Sequence, residues 1–121
     1  MFKILLIEDD NLLQKLYSEI FKKKGYDLKI AGDGQEGLIL VKKENPSLII
    51  LDIMLPGTMN GFDVLENLKR NPDLKNIPVL VLTNLDSERK TAEEIGAQDY
   101  MVKANTTPDM VVKKVESMLK S

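Results

Sequence analysis

Cysteine and histidine are both absent from the chain, and these two absences exclude more chemistry than any other feature of its composition. Without cysteine there is no disulfide, thiolate nucleophile or sulfur-rich metal site, which accords with a reducing compartment. Without histidine there is no Ser-His-Asp triad, no histidine-ligated zinc and no phosphohistidine on this chain. Long apolar runs are also missing. The N-terminal Met1-Phe2-Lys3-Ile4-Leu5-Leu6-Ile7 meets acid at Glu8, too soon for a secretory leader, and no stretch approaches the ~20 apolar residues of a membrane span. Concentrated positive charge is lacking as well. Lys and Arg number 17 against 19 Asp and Glu, a formal charge of −2, and the lysines are spread along helical segments, which argues against direct nucleic-acid binding. A soluble, cytoplasmic protein with no membrane insertion is expected, whose chemistry is left to carboxylates, hydroxyls, lysines and backbone.

What is present suits one ordinary domain over residues 1–121. A chain of 121 residues buries roughly two-thirds of its unfolded surface, enough for a self-sufficient core. Five short apolar runs are bounded by polar or turn residues: Lys3–Ile7, Leu28–Ala31, Leu48–Leu51, Val79–Leu82 and Asp99–Val102. Three are almost uninterrupted Ile, Leu and Val, the pattern of strands covered on both faces in a parallel sheet. Helical spacing fills the intervals. Leu12, Leu13, Leu16, Ile20 and Phe21 form one stripe, ended by Gly25; Gly37, Leu38 and Val41 form a second, ended before Pro46. Phe62, Val64, Leu65 and Leu68 form a third, a polar helix runs from Ser87 to Ile95, and Pro108 to Leu119 closes the chain with Thr107 as N-cap. Five strand–helix alternations predict an α/β, doubly wound, flavodoxin-like (βα)5 three-layer sandwich with parallel strand order 2-1-3-4-5.

Ligands of such sheets collect beyond the carboxyl ends of the strands, where strand order reverses. Strand 1 ends in Glu8-Asp9-Asp10, strand 3 in Asp52, strand 4 in Thr83-Asn84 and strand 5 in Lys103. Converging carboxylates repel one another unless a cation is present. Magnesium, which takes oxygen ligands and uses one or two carboxylates plus phosphate oxygen, suits Asp9 and Asp52 directly, Glu8 through a water, and a carbonyl just beyond Asp52. A calcium loop is disfavoured, because no Asp-x-Asp-x-Asp-Gly spacing is present. Metal alone would not need Lys103 or Thr83, whereas a phosphoryl group does: Lys103 offers charge, Thr83 a hydroxyl and Asn84 a backbone amide. Asp52, ending the most apolar strand, is the expected nucleophile for an aspartyl-phosphate. Weighed singly, an acidic turn after a strand is often only solvated, Thr83 is as often an ordinary strand-end hydroxyl, and Tyr100 reads as half-buried packing. Lys22-Lys23-Lys24 reads as a solvated helix end.

The pieces Ile4-Leu5-Leu6-Ile7-Glu8-Asp9-Asp10, Leu51-Asp52-Ile53-Met54-Leu55-Pro56-Gly57, Asn60-Gly61-Phe62, Pro78-Val79-Leu80-Val81-Leu82-Thr83 and Gly96-Ala97-Gln98-Asp99-Tyr100-Met101-Val102-Lys103 occur in one order. Together they resemble the receiver domain of two-component response regulators across almost the whole chain. The resemblance implies that Glu8 and Asp9 bind magnesium, that Asp10 lies outside the direct shell, that Asp52 accepts the phosphoryl group and that the Met54 carbonyl completes the metal site. It implies a switch pair in Thr83 and Tyr100, with the hydroxyl moving toward phosphate and the ring turning inward, and a phosphate-binding lysine in Lys103. It implies phosphate taken from a histidine kinase or histidine phosphotransfer protein, and a downstream protein met on the face of helix 4, strand 5 and helix 5. A monomer or weak dimer, acting only on its own phosphate, is expected.

Three departures accompany the resemblance. Ala104 replaces the proline that normally follows the lysine, leaving both peptide isomers open although cis costs ~3–4 kcal/mol without proline. Asn84 is bulkier than the usual small residue and narrows access to phosphate, and Thr58 lengthens the loop after Gly57. Two other readings use the same fold. A flavin mononucleotide site needs a phosphate-cradling loop after strand 1, where Glu8-Asp9-Asp10 would repel the phosphate. An aspartyl phosphatase needs a second Asp two residues after Asp52, where Met54 stands. The start at Met1 and a closing helix near Ser121 favour a stand-alone regulator over a receiver excised from a larger one.

Overall fold

A computed structural model describes residues 2–120, so the expected start at Met1 and end at Ser121 lie outside the described residues. Strands β1 (Lys3–Ile7), β2 (Asp27–Ala31), β3 (Leu48–Leu51), β4 (Val79–Thr83) and β5 (Asp99–Val102) alternate with helices α1 (Asn11–Lys23), α2 (Gly34–Glu44), α3 (Gly61–Arg70), α4 (Arg89–Ile95) and α5 (Pro108–Lys120). The strands form one parallel sheet in the order β2-β1-β3-β4-β5, the expected flavodoxin-like arrangement. Period-two alternation divides the core between the sheet's faces. Leu5, Ile7, Ile49, Leu51, Val79 and Val81 pack toward Val41, Val64, Leu65, Leu68 and Ala92 of α2, α3 and α4. Ile4, Leu6, Leu48, Ile50, Leu80 and Leu82 pack toward Tyr17 and Phe21 of α1 and Val111, Val112 and Val115 of α5. Both faces being covered is why β1, β3 and β4 read as continuous aliphatic runs.

Helix ends follow local chemistry. Asp10 caps α1, its carboxylate accepting from the Leu12 and Leu13 amides at 2.8 and 3.2 Å, and Thr107 caps α5 by accepting from the Met110 amide at 3.3 Å. Gly25, at φ +86°, closes α1 in a left-handed turn. Its amide donates to the Lys22 carbonyl and the Tyr26 amide to the Phe21 carbonyl, both at 3.0 Å, the paired bonds of a Schellman ending. The apolar stripe of α1 is not the one its leucines suggest. Leu12 is 80% and Leu16 39% exposed, whereas Tyr17 and Phe21 are buried. At 100° per residue, Leu13, Tyr17, Ile20 and Phe21 share one face, and Leu12 and Leu16 belong to another; the phenol of Tyr17 hid its membership. Every described peptide bond is trans, Lys103-Ala104 included, and a short 3-10 turn over Lys103–Asn105 carries the chain from β5 toward α5.

Of the glycines, Gly61, where α3 meets the end of β3, leaves the least room for a side chain. A Cβ on Gly61 would overlap the Asp52 carbonyl oxygen and lie 2.5 Å from the Ile53 Cα, backbone atoms that no rotamer can move. The Gly61 amide also donates to the Ile53 carbonyl at 2.9 Å, and Asn60 and Asp63 form a reciprocal capping box. On the far side of the sheet, Asp99 at the start of β5 pairs with Lys114 of α5 at 2.8 Å and with Arg89 of α4 at 3.5 Å.

Gly61→Ala should lose about 1–3 kcal/mol to overpacking, read as a lowered urea midpoint at unchanged slope. Burial pushes the Asp99 carboxyl up, but the Lys114 ammonium, the Tyr100 amide and Arg89 outweigh it and hold the pKa below the ordinary value. A depressed carboxylate contributes stability above its unfolded pKa and loses it as pH falls through the folded one. Wild type should therefore exceed Asp99→Asn in thermal stability by its full margin near neutrality, with the margin shrinking once pH drops below about 3.8.

Candidate functional site

Register builds the site. Ile7 stands opposite Leu51, so the next residues, Glu8 and Asp52, leave adjacent strands side by side at the point where strand order reverses. The Asp52 amide donates to the Ile7 carbonyl at 3.1 Å and extends that pairing by one residue. Thr83 stands opposite Val102, which brings Lys103 off β5 just past the end of β4. The sheet thus delivers the residues expected from sequence to one edge.

Glu8 and Asp52 are 2% and 4% exposed, and Lys103 reaches both. Its Nζ lies 2.5 Å from Glu8 Oε1 and donates to Asp52 Oδ2 at 2.8 Å. Their remaining oxygens are held by backbone: Glu8 Oε2 accepts from the Asp10 amide and Asp52 Oδ1 from the Met54 amide, each at 3.0 Å. Burial pushes the Glu8 carboxyl above its ordinary range despite the bonds from Lys103 and Asp10. Burial pulls the Lys103 ammonium down, but its bonds to Asp52 and Glu8 outweigh that and hold it above its usual value. The ammonium therefore stays charged between two buried carboxylates.

Asp9 is exposed at the mouth, and oxygens of Glu8, Asp9 and Asp52 lie within 4.8 Å of one another. Three hard carboxylate oxygens at that spacing fit a small divalent cation, and this acidic group could hold a metal. Asp10, the third acid of the run, is spent as the α1 cap. The Met54 side chain is 56% exposed, and that residue's described tie to the site is its amide on Asp52.

The hydroxyl-bearing side is joined through Leu85. Thr83 is fully buried, and its Oγ1 accepts from the Leu85 amide at 3.5 Å. The Tyr100 ring is 1% exposed, turned inward, and its hydroxyl donates to the Leu85 carbonyl. Asn84 between them is exposed. Tyr100 is thus far more enclosed than half-buried packing, and it shares one residue of backbone with Thr83.

Three contributors were not read from sequence. Gln14 of α1 donates its amide to the Glu8 carbonyl at 2.6 Å, Gly61 makes room behind Asp52, and Arg89 covers Tyr100. Each acts on the element next to its own in the chain, through a contact that strand and helix periodicity do not reveal, and only the Asn60-Gly61 pair before an apolar stripe carried a local signal.

Residues 4–116 match the response regulator receiver domain family. The transcriptional regulatory protein HprR of Escherichia coli (strain K12) is 43% identical over 103 residues, covering 84% of this chain and 44% of that protein. The chain spans about half the length of the curated relatives it matches. Among solved structures, the receiver domain of Francisella response regulator 1452 superposes with a TM-score of 0.90 at 29% identity, covering 99% of this chain and 98% of that one. The Mn2+-bound form of response regulator Rcp1 gives 0.82 at 33% identity, covering 97% and 93%. Fold, strand-end acids and family match agree, and the chain belongs to the response regulator receiver domains of two-component signalling.

Proposed function

We propose that this receiver accepts a phosphoryl group on Asp52 from a histidine kinase or histidine phosphotransfer protein, in a magnesium-dependent reaction, and re-forms its partner-binding surface in response. One observation carries the reading: a carboxylate 4% exposed at the end of β3, facing both a lysine ammonium at 2.8 Å and the acids Glu8 and Asp9. In the transfer, an Asp52 carboxylate oxygen attacks phosphorus, the P–N bond of the donor imidazole breaks, and the imidazole departs with the electron pair and takes up a proton. Magnesium, held by Glu8, Asp9, Asp52 and the Met54 carbonyl, would supply charge neutralisation on the phosphoryl oxygens.

The protein's own groups divide the remaining work. Lys103 moves its hydrogen bond from the Asp52 carboxylate to a phosphoryl oxygen, keeping its ionised form because Glu8 stays beside it. Thr83 donates its hydroxyl to another oxygen, which draws the loop through Leu85, and the Asn84 amide offers a further donor. Tyr100, bonded to the same Leu85, reports the change to the face of α4, β5 and α5, where a downstream protein binds. Hydrolysis of the acyl phosphate resets the domain, so the chain is no conventional turnover enzyme. The reading takes the receiver to be cytoplasmic, a monomer or weak dimer, with no direct contact to nucleic acid or membrane. No described helix is long and apolar enough to cross a membrane, and the magnesium site is supported by a structural relative described in a manganese-bound form.

Asp52→Asn should abolish magnesium-dependent labelling by a small phosphodonor such as acetyl phosphate, read by intact mass; undiminished labelling would remove Asp52 from the role. Lys103→Met should lower stability by about 3 kcal/mol in chelator, since it strands two buried carboxylates. Millimolar magnesium should recover most of that loss in thermal denaturation, and raise the variant's midpoint more than it raises the wild type's.

A further inference from the structure

Arg89 opens α4 with a side chain 53% exposed, yet its guanidinium makes four contacts, three of which converge on one neighbour. Nη2 donates to the Tyr100 carbonyl at 2.5 Å, and the guanidinium carbon lies 5.5 Å from the centroid of the Tyr100 ring, over its face. Nη1 is 3.5 Å from Asp99 Oδ1, the same oxygen that accepts the Tyr100 amide at 2.8 Å. A fourth contact, to Glu93 Oε2 at 3.3 Å one turn along α4, holds the side chain's direction. Tyr100 is therefore gripped at its carbonyl, at its ring face and, through Asp99, at its amide, while its hydroxyl is held below by Leu85.

We propose that Arg89 is a positioning residue for Tyr100: it pins the ring in its inward rotamer from the solvent side and fastens the start of α4 to β5. The inference rests on the reading of Tyr100 as the reporter of phosphorylation. Individually, an exposed ion pair and an exposed cation–π contact are weak. Here they share one planar group, whose shape lets it stack on a ring and bond a carbonyl at once, which a lysine cannot do. Lys114, which pairs with Asp99 at 2.8 Å, ties α5 into the same cluster. An outward turn of the Tyr100 ring thus requires the guanidinium to give up its stacking position, and the composition of this surface patch sets how readily the inward state is held before phosphate arrives.

The full chain, with its three tyrosines replaced biosynthetically by 3-fluorotyrosine, provides the test by 19F NMR, the Tyr100 line being assigned with Tyr100→Phe. In phosphate-free protein, Arg89→Gln is expected to shift or broaden the Tyr100 line, Arg89→Lys to have a smaller effect, and both to leave the Tyr17 and Tyr26 lines in place. A Tyr100 line unmoved in Arg89→Gln, or a shift of all three lines together, overturns the positioning role. Titration with beryllofluoride and magnesium is expected to show roughly fivefold weaker binding for Arg89→Gln, the scale of one lost exposed cation–π contact. A moved Tyr100 line with unchanged beryllofluoride affinity upholds the role of Arg89 and overturns the reading of Tyr100 as reporter.

Discussion

Lys103, placed between Glu8 and Asp52, is the contact on which the rest of the arrangement depends. Two carboxylates buried to within a few per cent at the ends of neighbouring parallel strands repel one another, and at that depth water screens them little. An ammonium at 2.5 and 2.8 Å reverses the sign of the interaction. Burial of a charge is tolerable when it is paired and its other lone pairs are bonded, and the amides of Asp10 and Met54 meet that second condition. The same lysine spends two of its three N–H donors on these acids.

That constraint reaches into the backbone. For Glu8 and Asp52 to meet, β1 and β3 must pair with Ile7 opposite Leu51, and a slip of one residue in either strand would turn its acid away from the other. For α3 to begin against the backbone of Asp52 and Ile53 after the intervening loop, the residue opening that helix must lack a side chain, and Gly61 does. For Lys103 to reach across, β5 must lie beside β4 rather than elsewhere in the sheet. The aliphatic runs of β1, β3 and β4 are buried on both faces, so these pairings lie within the core.

The outward route is short. Thr83 and Tyr100 are separated in sequence, but both hold Leu85, one at its amide and the other at its carbonyl. Tyr100 in turn lies under Arg89 and beside Asp99, which bonds Lys114 of α5. A buried hydroxyl at the end of β4 and a charged patch on the surface are thus linked through one loop residue and one ring.

Much of this was legible before any coordinates. The aliphatic runs and their spacing determine five strands, three of them covered on both faces, and the absence of cysteine and histidine leaves carboxylates, hydroxyl and lysine as the chemistry at the strand ends. Glu8, Asp9, Asp52, Thr83 and Lys103 could be named because a parallel sheet must bring its strand ends to one edge. The face of α1 was not legible. Leucine looks buried wherever it stands, and packing against the α5 side of the core placed Tyr17 beside the expected Phe21 and left Leu12 and Leu16 outside. Asp10 reads as an acid like its neighbours, yet the orphan amides of α1 claimed it as a cap. The inward ring of Tyr100, the shared Leu85 and the grip of Arg89 were decided by the tertiary structure alone. Sequence specifies which groups exist and roughly where along a strand or helix they fall. Which of them share an oxygen, or a ring face, depends on distances between elements that are set only when the helices pack against the sheet.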